Sequence, residues 1–494
     1  MNTKVGDIVS TSDILSLPSN SAVFFTVGVG GGKSHFCKHQ LYDAAEIRDT
    51  QILYVINRKN PRDQFGKELY FANKKDRITI TTYQAIESLI LSGDGYDLSP
   101  FYYIVLDEYH HFIADTTVDI YTDLVVDLIL NASCVRFLLS ATPYGTDVYL
   151  KEQFSARGIY YTTYILPASY SMMKLQLFYN DDLMDTIANK AIREDVKAIF
   201  FSNNIKRLYA LYKKYEDRSM FICSEYNANY SQHINEELKN KMISSERLPV
   251  QFLFATTCLD IGFNVKDTSI KYIVCDLDDI DQIKQCIGRR RVLHQYDTFQ
   301  VYVKGLSNLY MTSKIKSWEQ QISKVQYLMD YGSKAFVQRY RYDRNIRFDS
   351  DLICFDVDAD GNCNLQPIYL GYLYYLYRIQ RYQSIIDSDM NYRQYLLREL
   401  GCGTCESIAK TSKINWRYEY LESIQGELLL GHEARVKLYK ALGYYKDNKN
   451  LIRSLTGLNE ALLNDNLPFQ IDTVVVRNPL TTGKLTGWKV KSIV

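Results

Sequence analysis

The stretch Phe24–Phe36, FFTVGVGGGKSHF, holds four glycines, with Lys33-Ser34 directly after three of them. An apolar run, AVFFTVG (22–28), precedes it and reads as a buried strand. A helix is expected from about His35. Strand, glycine-rich turn and helix in that order are the context of a phosphate-binding loop. Glycine lets backbone N–H groups approach phosphate oxygens, and a helix N-terminus adds favourable partial charge. Gly28, Gly30, Gly31, Gly32, Lys33 and Ser34 are therefore the candidate ATP-binding residues. Lys33 would reach the β and γ phosphates, and Ser34 would ligate Mg²⁺. One departure stands out: the strict spacing puts its first glycine at position 27, which is Val27. From this stretch alone a plain glycine-rich turn stays open, and partners far along the chain must decide.

Working outward, QILYVIN (51–57), RITITTY (77–83), FYYIVLD (101–107) and VRFLLSA (135–141) also read as buried strands separated by helical stretches. Such alternation implies crossover connections and a parallel sheet. The pattern restarts with VKAIFFSN (196–203), SMFICS (219–224), VQFLFATT (250–257), IKYIVCDL (270–277) and TFQVYVK (298–304). The expected fold class is α/β, with two parallel-sheet units in tandem at residues 1–165 and 166–308. Residues 309–494 read as an accessory domain, mostly helical: helices over 313–342 and 369–387, a hairpin over 352–368, and a final hairpin in the tail.

The 494 residues include 46% apolar and 23% charged side chains, with net charge +1, as in ordinary globular chains. Any nucleic-acid surface must then be a local patch, because the global field is weak. The N-terminus has no apolar core of a signal peptide, and no apolar run approaches membrane-spanning length. Ten scattered cysteines suit reduced thiols in a cytoplasmic protein. Abundant tyrosine, with much Asn, Lys and Ile, suggests an AT-rich coding genome, such as that of a phage, virus or mobile element.

Two further segments end predicted strands, where α/β sheets present ligands. In IVLDEYHHF (104–112), Asp107 would hold Mg²⁺ and Glu108 would orient or deprotonate a water. In LLSATPYG (138–145), Ser140-Ala141-Thr142 follows. Taken in order, these segments resemble the motifs of superfamily 2 helicases, with a DExH-type motif written Asp107-Glu108-Tyr109-His110. The second unit continues the resemblance. FATTCLDIGFNV (254–265) resembles the fifth helicase motif, with Thr256, Gly262 and Asn264, in the form found in viral helicases. QCIGRRRV (285–292) resembles the sixth motif, matched at Gln285, Gly288 and Arg289, whereas the family's last arginine falls on Val292.

The resemblance covers about residues 20–305 and implies two RecA-like units that clamp ATP and Mg²⁺. Ser34 and Asp107 would hold the metal, and Glu108, Lys33 and Gln285 would serve hydrolysis. Arg289 is the first choice of arginine finger and Arg291 the second. His110 would relay between hydrolysis and strand movement. Gly262 and Asn264 would contribute to the nucleotide site. Single-stranded DNA or RNA would be held through its backbone by Asn57, Arg58, Thr81, Thr82, Ser202, Asn203 and Thr256. The implied activity is a nucleic-acid-stimulated ATP hydrolase of helicase type. The alternative is an ATP-switched loader or scaffold with little unwinding, motivated by the irregular GRRRV.

The C-terminal region lies outside the resemblance. It would supply a wedge, specificity, or contacts to replication or recombination proteins. QRYRYDRNIRF (338–348) interleaves arginine with aromatic residues, a pattern that suits phosphate contact and base stacking. It equally suits an ordinary helix face. DVDADG (356–361) lacks the glutamate an EF-hand needs at its twelfth position, and Cys402/Cys405 lacks a well-spaced second pair for zinc.

Overall fold

The computed structural model describes all residues except 1–3, 29, 58, 117–118, 167–172, 180–181, 225–226, 258–263, 295, 343–351, 358–360, 362, 389–390, 402–404, 408–413, 446–449, 466, 478–483 and 494. The first unit is a six-stranded sheet. Its strands are β1 (Ser21–Val27), β2 (Gln51–Ile56), β3 (Ile78–Thr82), β4 (Phe101–Asp107), β5 (Val135–Ser140) and β6 (Tyr160–Leu166). All pair in parallel, in the order β3-β2-β4-β5-β1-β6. Successive side chains of a strand point to opposite faces. Val23, Phe25 and Val27 thus enter one core layer with Phe36 and Phe137, while Ala22 and Phe24 enter the other with Tyr109 and Phe154. Burial on both faces is why β1 reads as a continuous apolar run.

The second unit repeats this design. β7 (Met173–Phe178), β8 (Lys197–Ser202), β9 (Ser219–Ile222), β10 (Phe252–Ala255), β11 (Ile270–Asp276) and β12 (Phe299–Lys304) form a parallel sheet. Its order is Cys405–Ser407, then β7-β12-β11-β8-β10-β9. The two parallel sheets are the tandem α/β units expected from the alternation. The expected strands are all present; β6 and β7 were not foreseen. β6 is an edge strand, partly exposed along its length, and its YYTTYIL carries no clean apolar run.

The last third is mainly helical. The helix Asn308–Tyr340 breaks at Gly332, whose φ of 76° only glycine adopts easily. The hairpin Ile353–Val357/Cys363–Pro367 and the helix Tyr369–Ile386 follow. The tail hairpin forms as expected, Phe469–Arg477 against Lys484–Ser492, joined by Leu428–Leu430 in a three-stranded sheet with its own small core. Cys405–Ser407 crosses back onto β7, so this region also extends the second sheet. Among the described residues, no helix is long and apolar enough to cross a membrane.

Candidate nucleotide site

Strands β1, β5 and β4 lie side by side with their carboxyl ends level: Thr26 pairs with Ser140, and Leu139 with Asp107. The connections after these strands carry Lys33, the Ser140-Ala141-Thr142 segment and Glu108, so three distant segments meet at one edge. Within the loop, Gly30 and Gly32 both take φ of 86°, which a side chain would strain. A Cβ on Gly31 would lie 2.3 Å from Val27 Cγ1. The valine at the strict motif's glycine position is thus accommodated by a glycine four residues on. The helical segment Lys33–Phe36 continues through Cys37–Leu41 into Tyr42–Arg48. The N-terminal segment packs on the loop, Val5 N–H donating to Gly31 O at 3.0 Å. Sequence reading did not anticipate that contact.

Lys33 Nζ lies 2.7 Å from Glu108 Oε1. Glu108 sits at φ 53°, a left-handed conformation uncommon outside glycine and enriched at functional turns. The Asp107 carboxylate accepts from Tyr54 Oη at 2.9 Å through Oδ2. Its other oxygen, Oδ1, is buried with no hydrogen-bond partner. A buried carboxylate oxygen left unpaired is costly, and a cation at this point would satisfy it. With the glycine cradle and the exposed Ser34, the residues present fit Mg²⁺ and ATP. Burial pushes the Asp107 carboxyl up to about 6; Lys33 opposes the rise, and Glu108 adds to it. Burial also acts to raise Glu108, but Lys33 and His110 hold it well below the usual carboxylate range.

These opposite shifts give a pH expectation. Asp107 must be ionised to hold a cation, and it protonates as pH falls through about 6. Hydrolysis at limiting Mg²⁺ should therefore fall about tenfold for each pH unit below that point, and excess Mg²⁺ should restore it. Mg²⁺ titrations of activity on either side of this pH check it. An Mg²⁺ requirement independent of pH would remove Asp107 from the metal site.

The second unit reaches this edge through Gln285, on the helix Ile280–Gly288. Gln285 Nε2 lies 3.0 Å from His110 Nε2 and 2.9 Å from Thr142 Oγ1. With that amide nitrogen donating, the His110 proton sits on Nδ1, which is 2.9 Å from Ser140 Oγ and 3.3 Å from Glu108 Oε2. A continuous polar chain thus joins Glu108, His110, Ser140, Thr142 and Gln285 across the two units.

The three consecutive arginines separate clearly. Arg290 is fully buried: Nη1 donates to Asp297 Oδ2 at 3.0 Å, Nε donates to Ile270 O at 3.0 Å, and the group stacks on Phe299. It belongs to the second unit's interior. The neighbours flank an isolated bridge to Val265, Val265 N donating to Arg289 O and Arg291 N to Val265 O. Arg291 Nη1 stands 3.7 Å from an ideal Cβ on Gly30, directly over the phosphate loop. The geometry thus sets the second choice, Arg291, beside that loop.

The residues expected on the strand divide. Asn203 is exposed, bonded to Gln282 and Thr257. Thr256 is half-buried at the end of β10 and donates its N–H to Ile222 O. Ser202 is fully buried, donating to Asp276 Oδ2 at 2.8 Å, so it pins a turn. Thr82 caps the helix Tyr83–Leu91 by accepting from Ala85 N, and Thr81 bonds Tyr96. Asn57 Nδ2 donates to Asp115 Oδ2 at 3.1 Å. Asn264 is half-buried beside Val265. Arg58 and Gly262 lie outside the described residues, as do residues 358–360 of the EF-hand-like turn and the arginine-rich segment beyond residue 342.

The helix expected over 369–387 forms as Tyr369–Ile386, but its place between the two units was not foreseen. The helix Tyr369–Ile386 packs Leu370 and Tyr374 into the first unit's core, and Tyr382 and Ile385 into the second's. Arg381 Nη1 donates to Asp281 Oδ2 at 2.8 Å, Tyr377 Oη donates to the same oxygen at 3.0 Å, and Arg378 stacks on Trp318. The sequence signal was there: YLGYLYYLYRIQRY is aromatic on every helical face, as a helix buried on several sides must be.

The site thus sets a glycine-rich loop, its lysine and an acidic pair at the edge where the two units meet. Residues 42–145 match the family described as "Type III restriction enzyme, res subunit", a span that includes Asp107–His110 and Ser140–Thr142. The chain is similar in structure to Saccharomyces cerevisiae Dbp5 bound to RNA and ADP BeF₃, at 13% identity, over 61% of this chain and 83% of that one, with TM-score 0.45. It is also similar to the DUF1998 helicase MrfA bound to DNA, at 13% identity, over 58% of this chain and 44% of that one, with TM-score 0.41. No curated protein matches the sequence. The motif set resembles that of the superfamily 2 helicases, and the family match spans two of its segments.

Proposed function

We propose that the chain is an ATP-driven motor that moves along a single strand of DNA or RNA and separates duplex. The observation that carries this reading is the cross-unit bond of Gln285 to both His110 and Thr142. A nucleotide site completed by two units makes their closure depend on the nucleotide, which is how hydrolysis becomes motion. When bound, Mg²⁺ and ATP supply the phosphoryl centre and neutralise its charge. Lys33 leaves Glu108 to hold phosphate, which frees the Glu108 carboxylate to accept a proton from water. Arg291 adds positive charge from the opposite unit. Ser140 and Thr142 sense the Glu108–His110 side of the site and pass the change to the face that holds the strand. Backbone contacts predict weak sequence preference and strong salt dependence.

The test is steady-state ATP hydrolysis with Mg²⁺, without nucleic acid and then with single-stranded DNA, single-stranded RNA and duplex. Strong stimulation by one single strand, abolished in Lys33→Ala, is expected and names the track. Protein that binds ATP yet responds to none of them would favour the loader or scaffold reading.

A further inference from the structure

We propose that Glu87, His111 and Asp119 form a second metal site in the first unit, for one divalent transition ion of the Zn²⁺ or Mn²⁺ class. The three come from separate segments: the helix Tyr83–Leu91, the turn of helix His111–Ala114, and the chain after it. One ligand atom from each lies within 4.8 Å of the others. Around an ion at about 2.1 Å, ligand atoms stand at most about 4.2 Å apart, so small side-chain rotations close the site.

Three observations point to a missing cation. Glu87 is 4% exposed, and its Oε1 is buried with no hydrogen-bond partner. Glu87 and Asp119 form no ion pair with lysine or arginine among the described residues. His111 is already oriented toward the group: Nδ1 lies 2.7 Å from Asp115 Oδ2, while Nε2 faces Asp119 Oδ2 at 3.6 Å and Gln84 Nε2 at 3.4 Å. A carboxylate holding one imidazole nitrogen while the other points at further carboxylates is the arrangement of a supported metal-binding histidine. Imidazole with two carboxylates suits Zn²⁺ or Mn²⁺.

The surroundings indicate what the ion would do. Asp115 also accepts from Asn57, and Gln84 Nε2 lies 3.3 Å from both Asn57 Oδ1 and Asp119 Oδ2. Tyr83 stacks on His111 and donates to Asp107 O at 3.0 Å. An ion here would tie together the connections that follow β2, β3 and β4. These bear the residues expected to hold the strand and the Asp107-Glu108 pair, yet the site shares no ligand with the nucleotide site.

The experiment uses the full chain, stripped with a chelator and titrated with Co²⁺ while visible absorption is followed, with no nucleotide present. One equivalent should bind. Binding should persist in Asp107→Asn and weaken at least tenfold in Glu87→Gln and in Asp119→Asn. X-ray absorption of the Zn²⁺-loaded, unmutated chain should show one imidazole and carboxylate oxygens, so the proposal stays testable if a variant fails to fold. It is overturned by the absence of a Co²⁺ band and an imidazole shell in the unmutated chain. It is equally overturned by binding that survives Glu87→Gln and disappears in Asp107→Asn.

Discussion

Glu108→Gln should lower the turnover of ATP hydrolysis by about 10³-fold, or about 4 kcal/mol of barrier, while ATP still binds. Glutamine keeps the shape of the side chain but cannot take a proton from water. Asp107 does not substitute for it, because its Oδ2 is bonded to Tyr54 and its free Oδ1 is buried as a metal ligand would be. The change also removes the 2.7 Å ion pair that holds Lys33. Lys33 then meets phosphate without first leaving a carboxylate, so ATP should bind at least as tightly as before. Turnover rates and equilibrium nucleotide binding, measured on the same preparation, separate the two effects. Turnover within tenfold of the unchanged chain would move the base elsewhere.

The adjacent arginines should part company by an equally large margin. Arg290→Ala leaves Asp297 charged and buried, and removes the donor to Ile270 O. Breaking such a pair costs about 3–5 kcal/mol, so the thermal midpoint should drop sharply, with activity lost through unfolding. Arg291→Ala removes a side chain that reaches over Gly30 from outside the core. It should leave the midpoint nearly unchanged and lower hydrolysis about 10³-fold, as the loss of an arginine finger does. Thermal melts beside turnover decide it. A stable, active Arg291→Ala paired with a stable, inactive Arg289→Ala would return the finger to Arg289.

Much of this architecture was legible because parallel strands buried on both faces write themselves as uninterrupted apolar runs. β1, β4, β5, β8 and β11 were plain for that reason. β6 was not, because an exposed edge strand needs no apolar run, and Tyr160–Leu166 sets two threonines among its tyrosines. The nucleotide residues were readable from glycine spacing and from acids at strand ends. The contacts that give them meaning were not, since Gln285 and His110 stand 175 positions apart.

The sequence alone determined the class of fold and the order of its motifs, and it named the residues expected to meet ATP, because backbone geometry and phosphate chemistry restrict which residues serve at those places. Only the tertiary structure decided how neighbours with identical chemistry differ. Arg290 is enclosed by Asp297 and Phe299, while Arg291 faces the loop, because a short bridge at Val265 sets successive residues in opposite directions. Thr82 and Ser202 became a helix cap and a buried pin in the same way. The grouping of Glu87, His111 and Asp119 was equally invisible along the chain, because it depends on two connections, those after β3 and β4, coming together.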